Sequence, residues 1–116
     1  MIRGEIWLVD FGIPIGSEPA YRRPAVVLQN DDFNKSNIQT SVVIPLTSNL
    51  LLADYTPNVL VPKKDSGLTK DSVVVIPLTT TVNKFCFIEK LSVMPKPYMK
   101  QICKGVIEVF ELQEGM

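Results

Sequence analysis

Hydrophobic and polar positions alternate at the start of this chain and then stop alternating. In residues 2–11, Ile-Arg-Gly-Glu-Ile-Trp-Leu-Val-Asp-Phe, polar side chains interleave with apolar ones up to Ile6, after which Trp7, Leu8 and Val9 follow without a break. Alternation suits a strand with one wet face, and a continuous run suits a strand covered on both. The segment is therefore predicted to enter a sheet and to be buried by its middle, with Trp7 in a core or subunit interface rather than on a base-stacking surface. Residues 12–22 hold Gly12, Pro14, Gly16 and Pro19 and read as a long surface loop, a connection of the length that carries function.

Further strands are predicted over Ala25–Gln29, Thr40–Leu46, Asn58–Val61, Ser72–Ile76 and Phe85–Val93. Asn30-Asp31-Asp32 supplies caps for a brief helical turn before Gln39, and Asp65-Ser66-Gly67 reads as a turn. From Lys96 the period changes to 3.6, with Pro97 acceptable in a first helical turn. Met99, Ile102, Cys103, Val106, Val109 and Phe110 fall on one stripe, opposite Lys100, Lys104, Glu108 and Glu111. Strands at short intervals followed by one amphipathic helix predict a mainly β fold: a strongly bent antiparallel sheet or small, partly closed barrel with the C-terminal helix packed on it.

At 116 residues the chain fits one domain, residues 1–116, and buries roughly two-thirds of the surface its unfolded form exposes. A hydrophobic content of 46% is high for this length, so part of the apolar surface is expected to serve a subunit partner in a homodimer. Lys plus Arg and Asp plus Glu number 12 each, which removes the global basic field of a non-specific nucleic-acid binder and leaves RNA contact to local patches such as Arg22-Arg23. Lys63-Lys64 reads as solvated surface. Histidine is absent, which excludes Ser-His-Asp and Cys-His triads, two-histidine ribonuclease chemistry and histidine-bearing zinc sites. No metal or other cofactor is expected. Cys86 and Cys103 lack Cys-x-x-Cys spacing and read as buried free thiols in a reducing compartment. The N-terminus lacks signal-peptide character and no apolar run approaches membrane-spanning length, so the chain is expected in the cytoplasm and off the membrane.

The residues that suggest chemistry lie between Gly16 and Thr47. A polar loop carrying Glu18 leads through Arg22-Arg23-Pro24 into the second strand, and the proline holds Arg23 in extended backbone at the strand's start. If that strand pairs antiparallel with the next, Thr47 at the latter's exit lies at the same sheet end. A guanidinium, a carboxylate and a hydroxyl gathered there suit a phosphodiester, because the guanidinium fork matches phosphate oxygens and stays charged. The hexapeptide Val-Val-Ile-Pro-Leu-Thr occurs at 42–47 and again at 74–79, so Thr79 competes with Thr47 for this role.

Arg3-Gly4-Glu5-Ile6-Trp7, Gly16-Ser17-Glu18, Arg23-Pro24 and Gln29-Asn30-Asp31, with Asp71-Ser72-Val73-Val74-Val75 further on, resemble the MazF/PemK/Kid toxins of bacterial toxin-antitoxin modules. The resemblance implies a small homodimeric ribonuclease that cuts single-stranded RNA without a metal and is held by a cognate antitoxin protein. It assigns Arg23 and Thr47 as catalytic, with Glu18 as the loop glutamate given an acid-base role, and it implies RNA contacts at Ser17, Arg22, Asn30, Thr79 and Thr80. Gln29-Asn30-Asp31 also reads as capping and bracing. Pro77-Leu78-Thr79-Thr80-Thr81-Val82-Asn83 stands where many members carry an Asp/Gln- and Arg-containing pattern, so one basic and one acidic contributor are missing. Two alternatives stay open: a MazF-like module that binds RNA or protein without cutting, and a CcdB-like gyrase poison. The second depends on a C-terminal Trp-Gly-Ile, whereas this chain ends in Leu112-Gln113-Glu114-Gly115-Met116 and has its tryptophan at position 7.

Overall fold

A computed structural model describes residues 1–13, 16 and 21–112. In chain order the elements are β1 (Glu5–Asp10), β2 (Arg22–Val27), the one-turn helix α1 (Asp31–Asn34), β3 (Thr40–Thr47), β4 (Val59–Val61), the one-turn helix α2 (Lys63–Ser66), β5 (Ser72–Val74), β6 (Thr80–Asn83), β7 (Phe87–Val93) and α3 (Lys96–Phe110). Single 3₁₀ turns at Leu50–Asp54, Ile76–Leu78 and Lys84–Cys86 connect them. All pairings among these strands are antiparallel, in the order β4-β5-β3-β2-β1-β7, with β6 also on β3.

Strand β3 organises the sheet. Its first half, Thr40 to Val43, pairs with β6, and its last residues, Leu46 and Thr47, pair with β5 on the same edge. The handover falls at Pro45, which has no N–H to give a neighbour but accepts from the Val75 N–H at 3.1 Å. Pro45 thus marks the point at which β3 passes from one partner strand to the other.

The two faces of the sheet build two cores. One buries Ile6, Val26, Ile44, Leu46, Val61, Val74 and Ile76 against Met99 and Ile102 of α3. Gly105 lets that helix approach closely: a β-carbon there would lie 3.2 Å from both the Pro57 carbonyl oxygen and the Ile76 side chain. The other buries Val9, Ala25, Val27 and Val43 under Trp7, Phe11 and Phe87, and the Trp7 and Phe87 rings meet edge-on at 5.8 Å. Trp7 is a packing residue.

The Arg3-Gly4-Glu5-Ile6-Trp7 motif fastens the N-terminus. The Arg3 backbone N–H donates to Asp31 Oδ1 at 2.8 Å, while its guanidinium donates to the Leu28 carbonyl at 2.9 Å and to Cys103 Sγ at 3.0 Å. Glu5, buried, accepts from the Ile2 N–H (2.8 Å) and Trp7 Nε1 (3.0 Å) and pairs with Lys90 Nζ at 2.8 Å. Burial alone would raise its pKa; the bonds from Lys90, Trp7 and Ile2 together outweigh it and hold the carboxyl below the ordinary glutamate value.

Several sequence expectations need correction. β2 starts at Arg22 rather than Ala25, because Arg22 and Arg23 pair with Asp10 and Val9 of β1. Thr80–Asn83, predicted as no element, is strand β6. The turn at Asp65-Ser66-Gly67 is the end of helix α2, closed by Gly67 in left-handed backbone at φ 75°. On α3, Val109 and Phe110 are exposed, while Met99, Ile102 and Gly105 face the core. Cys86 and Cys103 are free, but half-buried rather than buried.

Candidate active site

The β2–β3 register pairs Val27 with Val43, Val26 with Ile44 and Ala25 with Pro45. Continued by two positions, it sets Arg23 opposite Thr47. Both line a cavity of about 540 Å³ with Tyr21, Arg22, Ser48, Lys70 and Ser72. The cavity therefore draws on four separate stretches of chain, the fourth being Leu91 of β7. Arg22 and Arg23 come from the start of β2; Thr47 and Ser48 from the end of β3; Gly67, Leu68, Thr69, Lys70 and Ser72 from the segment between α2 and β5.

Each wall has its own anchor. The Tyr21 N–H donates to the Gly12 carbonyl at 2.6 Å and the Phe11 N–H to the Tyr21 carbonyl at 2.7 Å, which closes the base of the connection before β2. Tyr21 sits at φ 53°, a conformation non-glycine residues seldom adopt, and as a whole residue it is 65% exposed at the cavity's edge. Thr47 Oγ1 accepts from the Asn49 N–H at 3.2 Å, which leaves its hydroxyl proton to donate elsewhere. The third wall is held by α2. Asp71 Oδ1 accepts from the Lys63 N–H at 2.8 Å, and the Tyr98 hydroxyl of α3 donates to Asp65 Oδ2 at 2.6 Å. That bond to a carboxylate, with some desolvation, raises the Tyr98 pKa above the ordinary phenol value.

The charge of the site has one sign. Arg22, Arg23 and Lys70 line the cavity, and no carboxylate does so among its described residues. Tyr21, Ser48, Thr69 and Lys70 were not singled out from sequence. Lys70 follows the Gly67 turn without a basic neighbour to mark it, whereas the conspicuous doublet Lys63-Lys64 lies exposed on α2.

Of the other sequence-predicted residues, Asn30, Thr79 and Thr80 lie away from the cavity. Glu18 and Ser17 fall outside the described residues. Asn30 is past the far end of β2, where its side chain caps α1 by accepting from the Asp32 N–H at 2.8 Å. Thr79 donates its hydroxyl to the Ile76 carbonyl at 2.7 Å. Thr80 pairs with Val43, four positions before Thr47 and so about 13 Å up the strand. Neither Thr79 nor Thr80 lines the cavity, and of the two hexapeptide threonines only Thr47 stands beside Arg23. Among the described residues no three His, Cys, Asp or Glu side chains gather as a metal centre requires.

A family model described as PemK-like, MazF-like toxin of type II toxin-antitoxin systems matches residues 2–110. The chain belongs to this family. The toxin is 36% identical over 110 residues, 95% of its own length and 96% of theirs, to the endoribonucleases MazF2 of Mycobacterium bovis and MazF6 of Mycobacterium tuberculosis. Its backbone superposes on MazF of Deinococcus radiodurans with a TM-score of 0.82 at 20% identity, covering 97% of each chain. A mycobacterial endoribonuclease solved in complex with its cognate antitoxin gives 0.77 at 18% identity, again over 97% of each. The expected architecture, a bent antiparallel sheet with a C-terminal helix packed on it, is the architecture of these toxins, and here the sheet has seven strands.

Proposed function

We propose that this toxin is an endoribonuclease that cuts single-stranded RNA at the Arg23–Thr47 cavity. The reading rests on one observation: an arginine and a threonine from adjacent strands stand opposite each other at the open end of the sheet, in a cavity lined by cations. The 2′-hydroxyl of the nucleotide attacks the adjacent phosphorus and the 5′-oxygen leaves, giving a 2′,3′-cyclic phosphate and a 5′-hydroxyl. Negative charge grows on the non-bridging oxygens, where Arg23 supplies a fixed cation and Thr47 a hydroxyl donor. The attacking group belongs to the substrate, so the mechanism needs neither a protein nucleophile nor a metal. Glu18 is assigned the 2′-hydroxyl proton, which passes on, directly or through water, to the departing 5′-oxygen. Arg22 and Lys70 bind flanking phosphates, and Tyr21 offers the stacking face that Trp7 does not.

The toxin acts in the cytoplasm, as a homodimer held by an antitoxin. An acidic and apolar antitoxin segment lays a carboxylate on Arg23 where the RNA phosphate sits, so inhibition is competitive with RNA. Pro77–Asn83, where the chain departs from its family, does not line the cavity and leaves the Arg23–Thr47 arrangement intact.

The test is incubation with mixed single-stranded RNA in EDTA, followed by mapping of the cut ends. Cyclic phosphate and 5′-hydroxyl ends are expected, and Arg23→Ala loses on the order of 10²- to 10³-fold in rate while the fold survives. Unchanged cleavage by Arg23→Ala refutes the site. Absence of cleavage by the natural protein, with RNA binding that still weakens in Arg23→Ala, replaces the enzyme by a binding module.

A further inference from the structure

Helix α3 carries a second groove, of about 450 Å³, away from the Arg23 cavity. Its floor is Met99, Cys103 and Ile107; Lys96, Lys100 and Lys104 run beside it, and Arg3 forms the opposite wall. Both helix rows step by four residues, so the ammonium groups project at intervals of about 6 Å over a length of about 12 Å. Arg3 is fixed across the groove by its bonds to the Leu28 carbonyl and Cys103 Sγ. Among the described residues, none of these three lysines lies within 4.0 Å of a carboxylate. Asp31 is engaged by the Arg3 backbone N–H rather than by its guanidinium.

We infer that this groove docks an acidic amphipathic peptide of a partner protein, apolar side chains on Met99 and Ile107 and carboxylates facing the lysine row. The charge argument is specific because the whole chain is neutral: an unpaired basic row is a local feature and not overflow from a basic protein. Aliphatic side chains and sulfur make the floor, with no aromatic ring to stack a base, so a peptide fits better than single-stranded nucleic acid. The inference is independent of the cleavage reading.

The probe is a fluorescein-labelled helical peptide with glutamate at every fourth position and leucine on the adjoining edge, titrated by anisotropy against the full chain. Lys100→Glu is expected to weaken binding about tenfold or more, Lys100→Gln less, and a peptide with lysine in place of the facing glutamate is expected to restore affinity for Lys100→Glu. Raising salt weakens binding throughout. Circular dichroism melts establish that the variants fold, and their RNA cleavage rates stay those of the natural chain. The inference is overturned if the peptide does not bind, if a scrambled peptide binds equally, or if the Lys100 substitutions leave affinity unchanged. It is overturned equally if labelled oligouridylate or phosphatidylglycerol vesicles, rather than the peptide, show the dependence on Lys100.

Discussion

The duplicated hexapeptide makes a crossed experiment, because its two threonines differ in what their hydroxyls do. Valine keeps the shape of threonine and removes the oxygen. In Thr79→Val the bond to the Ile76 carbonyl disappears at a half-buried turn, which costs roughly 0.5–1.5 kcal/mol. For a chain of this size that lowers the melting temperature by several degrees, at roughly 3–6 °C per kcal/mol. Cleavage by the surviving folded protein is unchanged, since Thr79 lies outside the cavity. In Thr47→Val the lost bond is the one accepted from the exposed Asn49 N–H, which water replaces, so stability moves by less than about 0.5 kcal/mol. The rate, however, falls on the order of 10²-fold, because a donor to the developing oxyanion is gone, and by less than in Arg23→Ala, because a neutral donor stabilises charge less than a cation. Initial rates on a fluorophore-quencher RNA in EDTA, paired with melts by circular dichroism, separate the two effects. The reasoning fails if Thr79→Val abolishes cleavage without moving the melt while Thr47→Val cleaves normally.

Lys70→Ala is expected to raise KM about three- to tenfold with kcat nearly unchanged, and to flatten the dependence of log KM on log salt by about 0.7, as loss of one phosphate contact on a single strand does. Glu5 titrates below its unfolded value when folded. The stability it contributes is therefore present above pH of about 4.3 and is lost as pH falls through the depressed folded pKa. Lys90→Met should cost about 1 kcal/mol or less at pH 7, since Lys90 is half-exposed, and urea midpoints of the two proteins should converge toward pH 3; a constant gap would refute the ion-pair account. Gly67→Ala should destabilise by roughly 1–2 kcal/mol in urea unfolding, because its φ of 75° is left-handed and a β-carbon would meet Ser92 Oγ at 2.6 Å.

Buried strands announced themselves, because Val42 to Ile44 and Val73 to Val75 are runs of branched apolar residues. β6 did not: Thr80-Thr81-Val82-Asn83 has one apolar residue, and it is a strand because the first half of β3 offers it an unpaired edge. Val109 and Phe110 follow the helical period but are exposed, and periodicity cannot report how far a sheet extends. In the site, Arg23 was marked by its proline and Thr47 by the end of an apolar run. Lys70 and Tyr21 had no such mark. Their place depends on left-handed backbone at Gly67 and Tyr21 and on antiparallel register, which are properties of the assembled sheet rather than of a local string.

The handover of β3 from β6 to β5 at Pro45 also sets a timetable for the chain. Arg23 and Thr47 leave the ribosome early, but the strand that ends in Thr47 is held on that edge by Val73 and Val74, and the cavity takes its remaining walls from Lys70, Ser72 and Leu91. Such long-range pairings form late, and domains of this kind complete folding only when their distant strands are available. A nascent chain therefore exposes the two central side chains without the cavity that unites them. Whatever Arg23 and Thr47 do together therefore begins only once the chain is complete as far as Leu91.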